Sequence, residues 1–122
     1  MTKTILEFES EVFDAVRGRI YIELPPILQE RGIATIKLQF RIRPFPRGFI
    51  QFYYNEVNGK TSLALVIRDT RAYGYDYIPG KGWHRHIWPQ GNRDYSVEGR
   101  KPTTVYNFME RIDEILTPIT KT

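Results

Sequence analysis

With 122 residues, 41% of them hydrophobic and 26% charged, the chain suits one globular domain with its own core and excludes an intrinsically disordered segment. It contains no cysteine, which excludes disulfides and thiolate metal sites and restricts any nucleophile to oxygen or nitrogen groups. The net charge of +4 is unevenly spread: residues 31–101 hold 13 Lys and Arg against 5 Asp and Glu, whereas the two ends together hold 5 against 9. A basic middle of this kind attracts polyanions, so nucleic acid or an acidic protein is the partner class to test first. The amino terminus meets acidic residues before any apolar run of signal-peptide length, and no later stretch is apolar enough to span a membrane. A soluble, cytoplasmic protein without a membrane partner is expected, as one domain over residues 1–122.

Ile5, Phe8, Val12, Phe13 and Val16 recur at helical spacing and predict a short amphipathic helix that Gly18 breaks. Arg19 to Leu24 fits a continuation of that helix or a short strand. Pro25-Pro26 followed by Ile-Leu-Gln-Glu-Arg-Gly32 reads as a helical turn. From Ala34 to Ile42 the period changes to two, the pattern of a half-buried strand, which Pro44 and Pro46 end. Phe49 to Val57 and Thr61 to Arg68 form the next two strands around the Asn58-Gly59 turn signal. Ala72 to Ile78 and Trp83 to Trp88 follow, joined through Pro79-Gly-Lys-Gly82. Pro89 to Lys101 reads as a polar loop. Val105, Phe108, Met109, Ile112, Ile115 and Leu116 then form a helical stripe between Pro102 and Pro118. The expected fold is α+β: a five-stranded antiparallel meander packed on one face by the N-terminal and C-terminal helices.

Cross-strand pairing assigns the faces, because directly opposed residues point the same way. Pairing Tyr54 with Leu63, Phe52 with Leu65 and Ile50 with Ile67 gives an apolar face for the helices. If Ala72 pairs with Asp69 and Ile78 with Trp83, the other face collects Gln51, Tyr53, Arg68, Tyr73, Tyr75, Tyr77, His84, His86 and Trp88. In this register Asp76 faces the opposite way, towards Arg85, unless a bulge at Pro79-Gly80 shifts the pairing.

His84 and His86, at i and i+2 on one strand, suit acid and base work, a metal or contacts to phosphate. With two imidazoles, no third histidine and Asp76 turned away, neither a metal nor another cofactor is expected. In metal-free RNA cleavage a base deprotonates the ribose 2′-hydroxyl, an acid protonates the leaving oxygen and a cation stabilises the phosphorane. The candidate catalytic residues are His84, His86, Asp76 and Arg85. Arg68, Tyr73, Tyr75, Tyr77 and Trp88 are candidates for holding phosphates and stacking unpaired bases. Two other readings stay open: a non-catalytic module binding single strands or protein, and an oligomer interface built on the aromatic hairpin.

The order Tyr75-Asp76, then His84-Arg85-His86, then a polar loop and a helix from about Thr103 to Leu116 resembles the TumE-type toxin family of prokaryotic toxin–antitoxin modules. The likeness covers roughly residues 60–116, and the chain has Ile78-Pro-Gly-Lys-Gly82 where that family often places further histidines. The resemblance implies a cytoplasmic toxin neutralised by an antitoxin protein, with RNA or translation as its target.

Overall fold

A computed structural model describes residues 3–120. Helix α1 (Ile5–Val16) is followed by β1 (Leu28–Arg31), β2 (Thr35–Arg41), β3 (Gly48–Asn55), β4 (Thr61–Ile67), β5 (Thr70–Ile78), β6 (Gly82–Ile87), β7 (Asn92–Asp94) and helix α2 (Val105–Thr120). The strands form one antiparallel meander in the order β1 to β7. The expected α+β meander is present, but with seven strands instead of five. Residues 28–31, expected as a helical turn, pair with the outer edge of β2, where the ladder satisfies backbone groups that a single turn would leave open. Residues 92–94, expected as loop, pair in the same way with β6.

Thr4 caps α1: its hydroxyl accepts from the Glu7 N–H, and the Glu7 carboxylate accepts from the Thr4 N–H, so both ends of the capping box are made. The helix gives way at Arg17, which is extended (φ −61°, ψ 136°), and Gly18, with φ of +81°, takes the third position of a turn that the Arg19 N–H closes on the Val16 carbonyl. The Thr104 hydroxyl accepts from the Asn107 N–H at the start of α2. Pro118 does not stop α2 but lies within its last turn, where few intrahelical bonds remain for a proline to break. Arg19 donates from two nitrogens to the Asp113 carboxylate at 2.8 Å, and the Tyr21 hydroxyl bonds the same carboxylate, which ties the segment after α1 to α2.

Both helices cover the same face of the sheet. Ile36, Leu38 and Phe40 of β2, Ile50, Phe52 and Tyr54 of β3, and Leu63 and Leu65 of β4 are buried with Phe8, Val12 and Val16 of α1 and Val105, Phe108, Met109, Ile112 and Leu116 of α2. The β3–β4 pairing is Tyr54 with Thr61, Phe52 with Leu63 and Ile50 with Leu65, two residues from the expected register. A shift of two preserves side-chain parity, so the apolar face is the expected one.

Phe52 lies at the centre of this core, fully buried and edge-on to both Phe40 and Phe108, with ring centroids 5.9 Å away in each case. Phe52→Ala is expected to cost about 3–5 kcal/mol in a urea titration through lost burial and the cavity left behind. Val57→Ala, at a position 78% exposed, should stay within about 0.5 kcal/mol. Comparable losses in the two variants would refute this placement of the core.

Candidate functional site

Two local features on β5 and β6 set which side chains share a face. Between Leu65 and Val66 the β4–β5 register shifts: Arg71 opposes Val66, Tyr73 opposes Leu65, and Ala72 is the extra residue of a bulge. Arg68 and Asp69 supply the turn, both with positive φ (51° and 65°), as a two-residue hairpin loop of this hand requires. At the other end of β5, Ile78 pairs with Gly82 and not with Trp83. The turn is therefore one residue shorter than expected, with Gly80 and Gly82 in the left-handed region and the Lys81 N–H donating to the Ile78 carbonyl.

These odd-numbered shifts correct the expected faces. Tyr73, Tyr75 and Tyr77 oppose Leu65, Leu63 and Thr61, so by register they belong to the helix side and not to the face of the histidines, although Tyr77, near the end of β5, still borders a cavity next to Asp76. Tyr73 is buried and stacked on Phe108 at 6.0 Å. Trp88 packs against the core and borders a cavity with Tyr73, Ile87 and Ile115 of α2. Arg85 opposes Tyr75 on the helix side, where it donates to Asp94 at 2.6 and 2.9 Å rather than to Asp76. Arg68 is exposed in the β4–β5 turn, at the far end of β4 from Ser62, about 20 Å away along the strand. Asp76 moves the other way: it directly opposes His84, while Gly74 opposes His86. Asp76, His84 and His86 thus meet on the open face.

The three groups converge closely. His84 Nε2 and His86 Nε2 are 3.1 Å apart, His86 Nε2 is 3.1 Å from Asp76 Oδ2, and His84 Nε2 is 3.2 Å from the same oxygen. Both imidazoles are buried, at 5% and 8% exposure. His86 Nδ1 lies 2.9 Å from the carbonyl oxygen of Gly91, which can only accept, so the hydrogen is on Nδ1 and the ring orientation is set from behind. The ring of Tyr95 packs on His84 at 5.2 Å and carries the Arg100 guanidinium over it at 5.7 Å.

Asp76 is held by Arg71, which donates to Oδ2 at 2.7 Å and to Oδ1 at 2.8 Å, a bidentate pair. The guanidinium reaches Asp76 by lying across Gly74: a Cβ there would come within 2.7 Å of the Arg71 terminal nitrogen and 2.3 Å of the Leu63 carbonyl. Gly91 has a similar role, since its φ is +74° and a Cβ would fall 1.9 Å from the Arg71 carbonyl. Burial opposes ionisation of Asp76, but hydrogen bonds from His86, Arg71 and Ser62 together with the Arg71 charge outweigh it and hold the carboxyl well below the usual carboxylate range. Burial also pushes the His84 imidazole down; the Asp76 charge opposes this, and the charges of Arg71 and Arg93 reinforce it.

Asp76 borders two cavities of the open face. One, of about 380 Å³, is lined by Lys37, Tyr53, Lys60 and Ser62; the other, of about 180 Å³, by Lys81, His84, Arg93 and Tyr95. No ion pair among the described residues engages Lys37, Lys60, Lys81 or Arg93. Sequence reasoning missed Arg71, Tyr95, Gly74 and Gly91 as parts of this site. Gly74 carried a usable signal, since glycine inside a strand marks a bulge or a close approach.

The depressed Asp76 and His84 groups fix the sign of an acid response. Each binds protons less readily folded than unfolded, so its contribution is complete above the unfolded value, 3.8 for the carboxyl and 6.5 for the imidazole, and is lost as the pH falls below it. Melting temperature should therefore fall from pH 7 to pH 3, and by less in the double variant Asp76→Asn, His84→Gln; equal acid slopes would contradict the assignment. No protein-family model, curated protein or solved structure matches the chain, and the geometry of the site is what its function is read from.

Proposed function

We propose that the chain is a toxin-like cytoplasmic protein that engages RNA across the open face of its sheet. One observation carries the reading: the cavities flanking Asp76 and the histidines are bordered by Lys37, Lys60, Lys81 and Arg93, none of which forms an ion pair among the described residues. Cations left outside the ion pairs of the described residues, on a polar, half-buried sheet surface, favour a polyanionic strand, and Tyr53 and the half-exposed Tyr95 offer rings on which unpaired bases can stack. These two tyrosines take the role that the sequence assigned to Tyr73, Tyr75 and Trp88, while Tyr77 stays at the border of the larger cavity. The likeness of the Tyr75-Asp76 and His84-Arg85-His86 order to the TumE-type family supports the toxin part of the reading, with an antitoxin protein as its natural inhibitor.

A second reading, RNA binding without metal-free acid–base cleavage, is favoured by the spacing of the imidazoles. In-line displacement places the attacking and leaving oxygens on opposite sides of phosphorus, so a base and an acid must stand apart to serve both. His84 Nε2 and His86 Nε2 are 3.1 Å apart and share one carboxylate oxygen. They behave as one group.

A fluorescent single-stranded RNA should bind with an affinity that falls steeply with salt. Lys81→Ala with Arg93→Ala should flatten the log–log salt slope by about 1.4, at roughly 0.7 per phosphate contact on a single strand. Absence of binding at low salt, or a slope unchanged in the variant, would overturn the RNA reading. Induced expression should arrest growth, and His84→Ala with His86→Ala should relieve the arrest while the far-UV circular dichroism is kept; arrest that survives both substitutions would remove these residues from the toxic activity.

A further inference from the structure

We infer that His84, His86 and Asp76 form a two-histidine, one-carboxylate site for a single divalent transition-metal ion. The inference concerns the same residues as the RNA reading and stands independently of it. Its basis is the near-equilateral triangle of His84 Nε2, His86 Nε2 and Asp76 Oδ2, with edges of 3.1, 3.1 and 3.2 Å. A hydrogen bond is directional and joins two heavy atoms along a line, so one proton satisfies one edge of such a triangle. Three equal edges call for a common centre. A zinc-like ion with bonds of about 2.0–2.1 Å to nitrogen and oxygen gives ligand-to-ligand edges of about 3.3–3.4 Å in a tetrahedral site and about 2.8–3.0 Å in an octahedral one. The observed edges fall between these values, and the ion would sit about 1 Å out of the plane of the three donors, leaving further positions for water or a ligand.

The surroundings match the demands of such a site. Gly91 accepts from His86 Nδ1, which leaves Nε2 as the atom presented to the centre, the usual arrangement behind a ligating imidazole. An ion there would displace the proton that Nε2 shares with Asp76. Arg71 clamps both oxygens of Asp76 and fixes the carboxylate plane. Its charge weakens attraction for a dication; its return is orientation, as with hydrogen-bonded carboxylate ligands elsewhere. Two imidazoles and one carboxylate select zinc, cobalt or another late first-row ion over magnesium or calcium, which prefer oxygen donors throughout. The sequence argued against a metal because Asp76 faced away in the expected register; the shorter β5–β6 turn supplies the third donor.

The test uses the full chain without a polyhistidine tag, stripped with a chelator and titrated with zinc chloride or cobalt chloride. Calorimetry should show one ion per chain, cobalt should give the visible absorption of a low-coordinate site, and the melting temperature should rise with zinc. His84→Gln, His86→Gln and Asp76→Asn should each weaken binding by about 100-fold or more, since loss of even an outer partner costs roughly 10- to 100-fold. The chain has only two histidines, so proton NMR locates the ion in the unaltered protein even if a variant fails to fold. Zinc should move or broaden the ring signals of both. Absence of saturable one-to-one binding, or ring signals that zinc leaves unchanged, would overturn the site. Metal binding without RNA binding would sink the RNA reading alone, and RNA binding without metal binding would sink this one.

Discussion

One extra residue in β5 governs the chemistry of both faces of the sheet. Ala72 has no partner at the bulge opposite Leu65 and Val66, and from that point every side chain of β5 lies on the face opposite to the one that an unbroken hairpin would give it. Tyr73 and Tyr75 enter the core, where Tyr73 stacks on Phe108, while Asp76 emerges on the open side. Removing the bulge would put a carboxylate against the helices and two large rings in solvent. Both changes are costly, since a buried unpaired charge and lost aromatic burial act in the same direction. The apolar demand of the core therefore holds the bulge in place, and the position of Asp76 follows from it.

A half-buried carboxylate on a sheet needs partners, and the chain provides them through missing side chains as much as present ones. Gly74 leaves the lane through which the Arg71 guanidinium reaches Asp76, and that guanidinium also donates to the Leu63 carbonyl at 3.2 Å, so it reinforces the β4–β5 pair while orienting the carboxylate. Gly91 lies against the Arg71 backbone and accepts from His86. Arg71 is thus linked to the carboxylate directly and to one imidazole through a loop.

The period-two run of β2 and the helical stripes of α1 and α2 made the layers legible, because patterns of Ile, Leu and Phe report burial directly. The Asn58-Gly59 turn left the β3–β4 register in error by two residues, an error that parity forgives. The open-face site was less accessible. The histidines were placed on the face away from the helices, as observed, but Asp76, Tyr73, Tyr75 and Tyr77 each depended on an odd-numbered register shift. Nothing local distinguishes a bulged Arg71-Ala72 from a regular one when the deciding contact is Tyr73 with Phe108, 35 positions away in the chain. β1 and β7 were missed for a related reason: neither has a pattern of its own, and each exists because a neighbouring strand offers a ladder.

Those two edge strands constrain how anything can approach the molecule. β1 has four residues and β7 three, and they carry Glu30 and Arg31 at one border and Arg93 and Asp94 at the other. Short, charged borders discourage a further strand from joining the ladder, whether from a peptide or from another copy of the chain. A ligand is thereby directed to the broad surface between them, where side chains and not backbone groups would recognise it.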